Sequence, residues 1–425
     1  MGKIIVWLSF FCMSIYAVNM NDLFNAIIKQ PSSKLDMMSE KMAQIAKDKV
    51  ESAYYPNIDM FASYTHYNSP TNLLPLEPKE AGILIAKGEP LPFSNTIEKV
   101  GFKLSIPVFV KEISLLSKKT SYLAKSAKFK KELNFYKNEA VVLGANAGLL
   151  YLESLQKALF STRKSILKTK SDMQIAVDNG RMPGIAIDKI DEKLNQLEIS
   201  INNIDIKRVA LIAKIENLTG IKLDKPIKMR QVSELKKSSI FALKPLTEAL
   251  NASKSDFDVA KAKRYYPKVG LNLMWSENYS QNDSNLHKSV HRGYGFYQLG
   301  VSMPLYNKGD DVDIQLKKIA MMKSKVKLKK SEKELLIDAK RLEKELGLLK
   351  NSQNLTLENI KKKKSLLEYA KVAFKEGRMT EEDYLRYEDG LLSAKASYYK
   401  IESEKWQDIA KLAVIYGNDL RGVVK

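Results

Sequence analysis

Four stretches of the chain alternate between apolar and polar positions. In the first, Ile58, Met60, Ala62 and Tyr64 face one way and Asp59, Ser63 and Thr65 the other, with Phe61 breaking the pattern. In the second, Val100, Phe102, Leu104 and Ile106 alternate with Gly101, Lys103 and Ser105. Val269, Leu271, Leu273 and Trp275 alternate with Lys268, Gly270, Asn272 and Ser276, and Tyr297, Leu299, Val301 and Met303 with Gln298, Gly300 and Ser302. A period of two predicts strands with one apolar and one wet face. The stretches 109–176 and 306–375 instead predict helices, each about 100 Å long at about 1.5 Å per residue. Leu335, Ala339, Leu342, Leu346 and Leu349 in the second are spaced as in a coiled coil. Returning helices are expected at 185–219 and 381–416, roughly half as long. Shorter helices at 35–54 and 245–264 could stack end to end with the returning ones. The first of these ends before Pro56, because proline lacks a donor and restricts the residue before it. Residues 69–98, with five prolines, and 277–293 read as loops. Residues 221–243 link the halves, and the residues from Asn418 onward are expected to be loose.

The arrangement occurs twice. Pro107 and Pro304 each end an alternating run, Gly180-Arg181-Met182 answers Gly377-Arg378-Met379, and Gly220 answers Gly417. All three offsets are 197 (304 − 107, 377 − 180, 417 − 220). A fixed period is the signature of an internal repeat. Tyr54-Tyr55-Pro56 and Tyr265-Tyr266-Pro267 precede the first strand of each half at an offset of 211, so one copy has a loop 14 residues longer (211 − 197). Each half reads helix, strand, loop, strand, long helix, tip, helix.

Residues 1–17 carry Lys3, an apolar run and a closing Ala17, the pattern of a secretory signal peptide. The sole cysteine, Cys12, lies within it, so the mature chain is expected to have no disulfide or thiol chemistry. No later run is apolar for long enough to predict a transmembrane helix. The 425 residues have a formal net charge of +21, but the lysines are interspersed with glutamates along the helices, which reads as a solvated face and not a nucleic-acid site.

An alternating strand suits a soluble sheet packed on helices, or a membrane barrel that is apolar towards lipid and polar towards a lumen. The length of about 10 to 12 residues suits a tilted membrane crossing. Tyr54, Tyr55, Tyr265 and Tyr266 lie at one end of the strands and Tyr67, Trp275, Tyr279 and Tyr294 at the other, like interfacial girdles. Four strands cannot close a lipid-exposed barrel, so strands in a membrane require an oligomer.

The Tyr-Tyr-Pro motifs, the motifs Ile106-Pro107-Val108-Phe109 and Met303-Pro304-Leu305-Tyr306, the glycine tips and their duplication together resemble the TolC family of outer-membrane efflux channels. The resemblance covers essentially the whole mature chain. It implies a mainly α fold with membrane β: a two-fold repeat of strand hairpin plus long antiparallel helical hairpin, in a homotrimer with a twelve-stranded barrel and an α-helical tunnel. The implied organisation is a signal peptide (1–17), an N-terminal helix (18–55), a first barrel hairpin (56–107), a first helical hairpin (108–220), an equatorial linker (221–243), a helix (244–266), a second barrel hairpin (267–304), a second helical hairpin (305–417) and a tail (418–425). The implied location is the outer membrane, in contact with its lipid, with the helices extending into the periplasm. The implied partners are a periplasmic adaptor and an inner-membrane pump of RND or ABC type, and the implied cargo is drugs or other small toxic compounds.

By the same resemblance, Gly180, Arg181, Met182, Gly377, Arg378 and Met379 are candidates for meeting the adaptor. An arginine after each glycine departs from the apolar residue common in the family. The family's inner hairpin carries two aspartates past the tip glycine. Asp383 matches the first, Arg386 stands at the second, and Glu382 adjoins them as a further gate candidate. A competing reading makes Thr380 a helix N-cap with Asp383 in the first turn.

No nucleotide, metal or redox motif stands out, and neither enzyme activity nor a cofactor is expected. His66, His287 and His291 fall near strand ends or loops; His287 and His291 could bind metal, but with no cysteine or third ordered ligand beside them they read as solvated loop histidines. A periplasmic adaptor or a secreted coiled-coil scaffold would also explain long helices. An adaptor carries a single hairpin, however, and a scaffold has no need of alternating strands.

Overall fold

The computed structural model describes residues 18–73, 75–89, 91–181, 183–280 and 290–425. The expected signal peptide therefore lies outside the described residues. The elements are α1 (Met20–Lys29), α2 (Pro31–Glu51), β1 (Asn57–Asn72), α3 (Pro78–Ala86), β2 (Phe93–Val110), α4 (Lys111–Asp178), α5 (Ile185–Thr219), α6 (Lys244–Tyr265), β3 (Lys268–Ser280), β4 (Val290–Ser302), α7 (Lys308–Lys375) and α8 (Glu381–Tyr416). α4 and α7 have 68 residues each. Two structural units emerge, one from Glu40–Ala127 with Pro245–Lys329, the other from the remaining described residues.

In the first unit the strands form one antiparallel sheet in the order β1-β2-β3-β4. β1 and β2 have 16 and 18 residues, longer than the alternation suggested, because both continue into the stretch read as loop. Pro70 falls where the β1–β2 register shifts, between His66 and Thr71, so the missing donor disturbs pairing without ending it. α3 also lies in that stretch, with Pro78 in its first turn, where a missing N–H costs nothing. β2 likewise passes Pro107, through a second register shift, and ends at Val110. The segment after β1 folds over the sheet. Leu73 is buried, and its carbonyl accepts a 2.9 Å bond from the Asn278 side chain. Ser276, Asn278, Ser280, Ser94 and Ile97 are buried with it.

The helices of this unit are tied by ion pairs. Asp256 on α6 receives Lys119 of α4 at 2.6 Å and Lys317 of α7 at 3.1 Å. Burial opposes its ionisation, but the bonds from these two lysines hold its pKa below the usual carboxylate range. Lys263 pairs with Asp310, Arg264 with Asp311, and Lys268 with Glu112.

The second unit has an apolar core. Met20, Leu23, Phe24 and Ile27 of α1 are buried with Val142 and Leu143 of α4, Ile215 of α5 and Trp406, Ile409 and Ala413 of α8. α1 corrects the reading of 18–55 as one helix. Its spacing of three and four residues places an apolar stripe inward, and Asn19 and Asp22 close a capping box at its start. The chain breaks at Gln30, because Pro31 excludes helical geometry before it. The Gln30 amide then bonds the Thr219 carbonyl at the end of α5 at 2.7 Å. At the equivalent place in the second repeat, Ser238 bonds the Tyr416 carbonyl at the end of α8, and Phe241 abuts Gly417.

The tail is not loose. Leu420, Val423 and Val424 are buried in the core, and Lys425 exchanges two backbone bonds with Arg230 at 2.7 and 2.9 Å. The expectation failed because a short, mostly polar end containing Gly422 looks unstructured, whereas its three apolar side chains fill the core. The linker is held by Asn146, whose side chain bonds both the N–H and the carbonyl of Ile227.

Candidate functional site

Register decides which side chains share a face of the sheet. Directly paired residues point the same way, and successive residues alternate. Ile58 is paired with Leu104, Leu104 with Leu273, and Leu273 with Tyr297. Met60, Phe102, Trp275 and Gly295 form the next row, and Ile106, Leu271 and Leu299 another. One apolar face therefore runs across all four strands, with Glu98 and Glu277 further along it. It is open to the outside: Ile58, Met60, Tyr64, Phe102, Trp275, Tyr297, Leu299 and Val301 are all exposed.

The opposite face is mainly polar, although Met274 and Phe296 lie on it in the row of Asp59 and Lys103. Asn57, Ser105, Asn272 and Gln298 form one row, and the Ser105 hydroxyl donates to the Asn272 carbonyl oxygen at 3.0 Å. Phe61, which broke the alternation, lies on this face opposite Gly101, where no side chain competes for the space. At the α3 end the polar face is covered by the segment around Leu73.

The two hairpin tips are built alike. Gly180 and Gly377 adopt φ of 67° and 71°, in the left-handed region that glycine tolerates best. At the first tip the N–H of Arg181 bonds the Ala176 carbonyl and that of Gly180 the Val177 carbonyl. At the second, Arg378 bonds Ala373 and Gly377 bonds Phe374. These partners are again 197 apart (373 − 176, 374 − 177). A Cβ added at either glycine would meet nothing within 4 Å. Arg181 and Arg378 are exposed, and Arg378 lies 3.3 Å from Glu376. Met379 is half-buried, and Met182 lies outside the described residues. Across the second tip Phe374 stacks on Tyr384 with ring centroids 5.3 Å apart.

Thr380 caps α8: its hydroxyl oxygen accepts the Asp383 N–H at 3.1 Å. Arg386 bonds Glu382 at 2.5 Å and lies 3.8 Å from Asp383. Spacings of three and four residues bring both acids within its reach on one helix. Within the chain the arginine is thus paired on its own helix and does not need an acid from a neighbouring one.

Of the histidines, His66 contacts the Thr96 hydroxyl, and His291 pairs with Glu277 and stacks on Tyr279. His287 lies outside the described residues. Among the described residues no cluster of three or more metal-ligating side chains forms.

A site without a sequence signal lies at the tail. Glu139 of α4 is buried, accepts the Leu420 N–H at 3.1 Å, and has Arg421 Nε 3.8 Å away. Burial, reinforced by the Asp419 charge, pushes its pKa up to about 9. A glutamate within a long lysine- and glutamate-rich helix looks like any other solvated one.

No family model and no curated protein matches the sequence. Among solved structures, the chain is similar to the CmeC outer membrane channel of Campylobacter jejuni, at TM-score 0.70 and 15% identity over 95% of this chain and 86% of that one. It is also similar to the outer membrane protein VceC of Vibrio cholerae, at TM-score 0.70 and 14% identity over 94% and 96%. The open state of the MtrE outer membrane channel of Neisseria gonorrhoeae matches at TM-score 0.71 and 13% identity over 95% and 90%.

Proposed function

We propose that this chain, which has the fold of outer-membrane channels, is itself the outer-membrane channel of a tripartite efflux system. In this reading it exports small toxic compounds, drugs among them, with an inner-membrane pump of RND or ABC type and a periplasmic adaptor. The observation that carries the reading is the apolar face, continuous over four strands, exposed, and backed by a polar face. Such a surface needs lipid on one side and water on the other. The edges of β1 and β4 cannot remain open in hydrocarbon, so further strands must come from other copies. Three copies would close twelve strands around a lumen lined by the polar face, with the helical hairpins as the tunnel.

Fractionation tests this against a periplasmic adaptor or a secreted scaffold. Heat-modifiable oligomers in the outer membrane support the channel. Soluble periplasmic material would refute it.

The tips would meet the adaptor through Gly180, Arg181 and Met182 and through Gly377, Arg378 and Met379. Leucine at both Gly180 and Gly377 is expected to abolish efflux and leave the oligomer intact. The space around each Cβ is open, but the left-handed backbone costs a side chain on the order of 1–2 kcal/mol per site. Normal efflux in the double variant would remove the docking role.

Around a three-fold axis Asp383 would form an acidic ring, the kind that attracts cations in pores, with Glu382 and Arg386 setting its charge. Asp383→Ala is expected to relieve block by divalent cations added from the tip side, and Arg386→Ala to raise resting conductance. If single-channel recordings are unchanged in both, Asp383 is only part of the Thr380 helix cap.

A further inference from the structure

Ionic side chains are distributed unequally between the two faces of the sheet. Resting on the channel reading, we propose that the lumen face of the barrel is an anion-attracting surface and that the exported compounds are organic anions. The polar face carries Lys99, Lys103, Lys268 and Arg292 against a single acid, Asp59. Two of the cations are compensated: Lys268 binds Glu112 at 2.6 Å, and Lys103 lies directly opposite Asp59. Among the described residues no acid pairs with the other two. Lys99 and Arg292 fall in one cross-strand row, Ser63–Lys99–Asn278–Arg292, which contains no acid. The adjoining row, Phe61–Gly101–Ser276–Tyr294, contains none either.

The sheet's remaining acids, Glu98 and Glu277, alternate onto the other face, where Glu277 is taken up by His291. The row of Lys99 and Arg292 is also where the lumen face is covered, since Asn278 between them holds the Leu73 carbonyl. Beside this cover Arg292 stays exposed and Lys99 half-buried. Three copies would place six cations at one level, and a ring of lysine and arginine selects anions in a pore. Walls of low dielectric around such a ring focus its field into the lumen.

The experiment uses the purified full-length protein in planar bilayers, in the Asp383→Ala form so that the tips do not mask the barrel. In a KCl gradient the reversal potential is expected to show chloride preference. Lys99→Glu with Arg292→Glu should move it towards potassium, whereas Lys99→Arg with Arg292→Lys should leave it in place. Glu98→Gln, on the outer face, should also leave it in place. Potassium preference in the parent, or a reversal potential that ignores the double charge reversal, would overturn the proposal while leaving the channel intact. Absence of any conductance would overturn the channel reading itself. In cells, the charge-reversed variant should lose resistance to bile salts and keep resistance to quaternary ammonium compounds. Equal loss of both would exclude charge as the cause.

Discussion

A Leu271→Arg variant is expected to fail at membrane assembly. Leu271 lies opposite Ile106 on one side and Leu299 on the other, within the apolar face. An arginine facing lipid at mid-bilayer costs about 2–4 kcal/mol, and a trimer would carry the cost three times. Asn272, one residue on, points to the polar face, where Ser105 donates to it. A cysteine at position 272 should therefore react with a water-soluble reagent and resist a lipid-soluble one. Heat-modifiable oligomers forming normally with Leu271→Arg, together with lipid-probe labelling at position 272, would mean that the sheet faces the other way.

Removing the eight residues after Gly417 is expected to cost more stability than any single surface substitution. Leu420, Val423 and Val424 leave the core, each contributing on the order of 1.5–3 kcal/mol by burial. The backbone exchange between Lys425 and Arg230 is lost, which leaves the linker with the Asn146 contacts to Ile227. Glu139 is left without the Leu420 N–H in a site where Arg421 is also gone. An unpartnered buried carboxyl adds a further penalty of about 1–3 kcal/mol. Thermal unfolding of the truncated and full chains, followed by helical circular dichroism, measures the difference. A melting point within a degree of the full chain would show that the tail merely rests on the core. Gly417→Ala tests the same joint without a deletion. A Cβ there would sit 2.4 Å from the Phe241 ring, on a backbone with φ of 73°.

Much of this architecture was legible because two strong signals agree. Val269, Leu271 and Leu273 alternate strictly, and the landmarks Pro107, Gly180 and Gly220 return at one offset. Periodicity reports which face is apolar, and repetition reports which errors to discount. What the chain concealed was of another kind. The β1 extension passes through Pro70, which argues against strand locally and is tolerated only because the register shifts there. α1 is ten residues long, too short for its period to stand out, and is stable because Met20, Leu23, Phe24 and Ile27 are all covered by distant elements. The tail is ordered by contacts that no local pattern encodes. At the tips the glycines were readable from their role in ending helices, whereas the pairing of Arg386 with Glu382 became clear only from the helix geometry. The cation row was hidden because Lys99 and Arg292 are far apart in sequence, and only the strand order brings them level.

Glu139 gives folding a proton stoichiometry. In the unfolded chain its carboxyl titrates near 4.5, and in the folded chain at about 9, so between these values folding takes up a proton. The contribution is fully present below the lower value. It declines by about 1.4 kcal/mol per pH unit as the pH rises, and is gone once the folded group itself ionises. Asp419 beside it runs the other way: burial resists its charge, but Arg421 keeps it ionised, so its contribution is lost only at pH values below the usual carboxylate range. Burial also raises the carboxyls of Glu402 and Asp408, so they add to the slope in the same direction. Acid therefore tightens the seat of the C-terminus, and alkali loosens it.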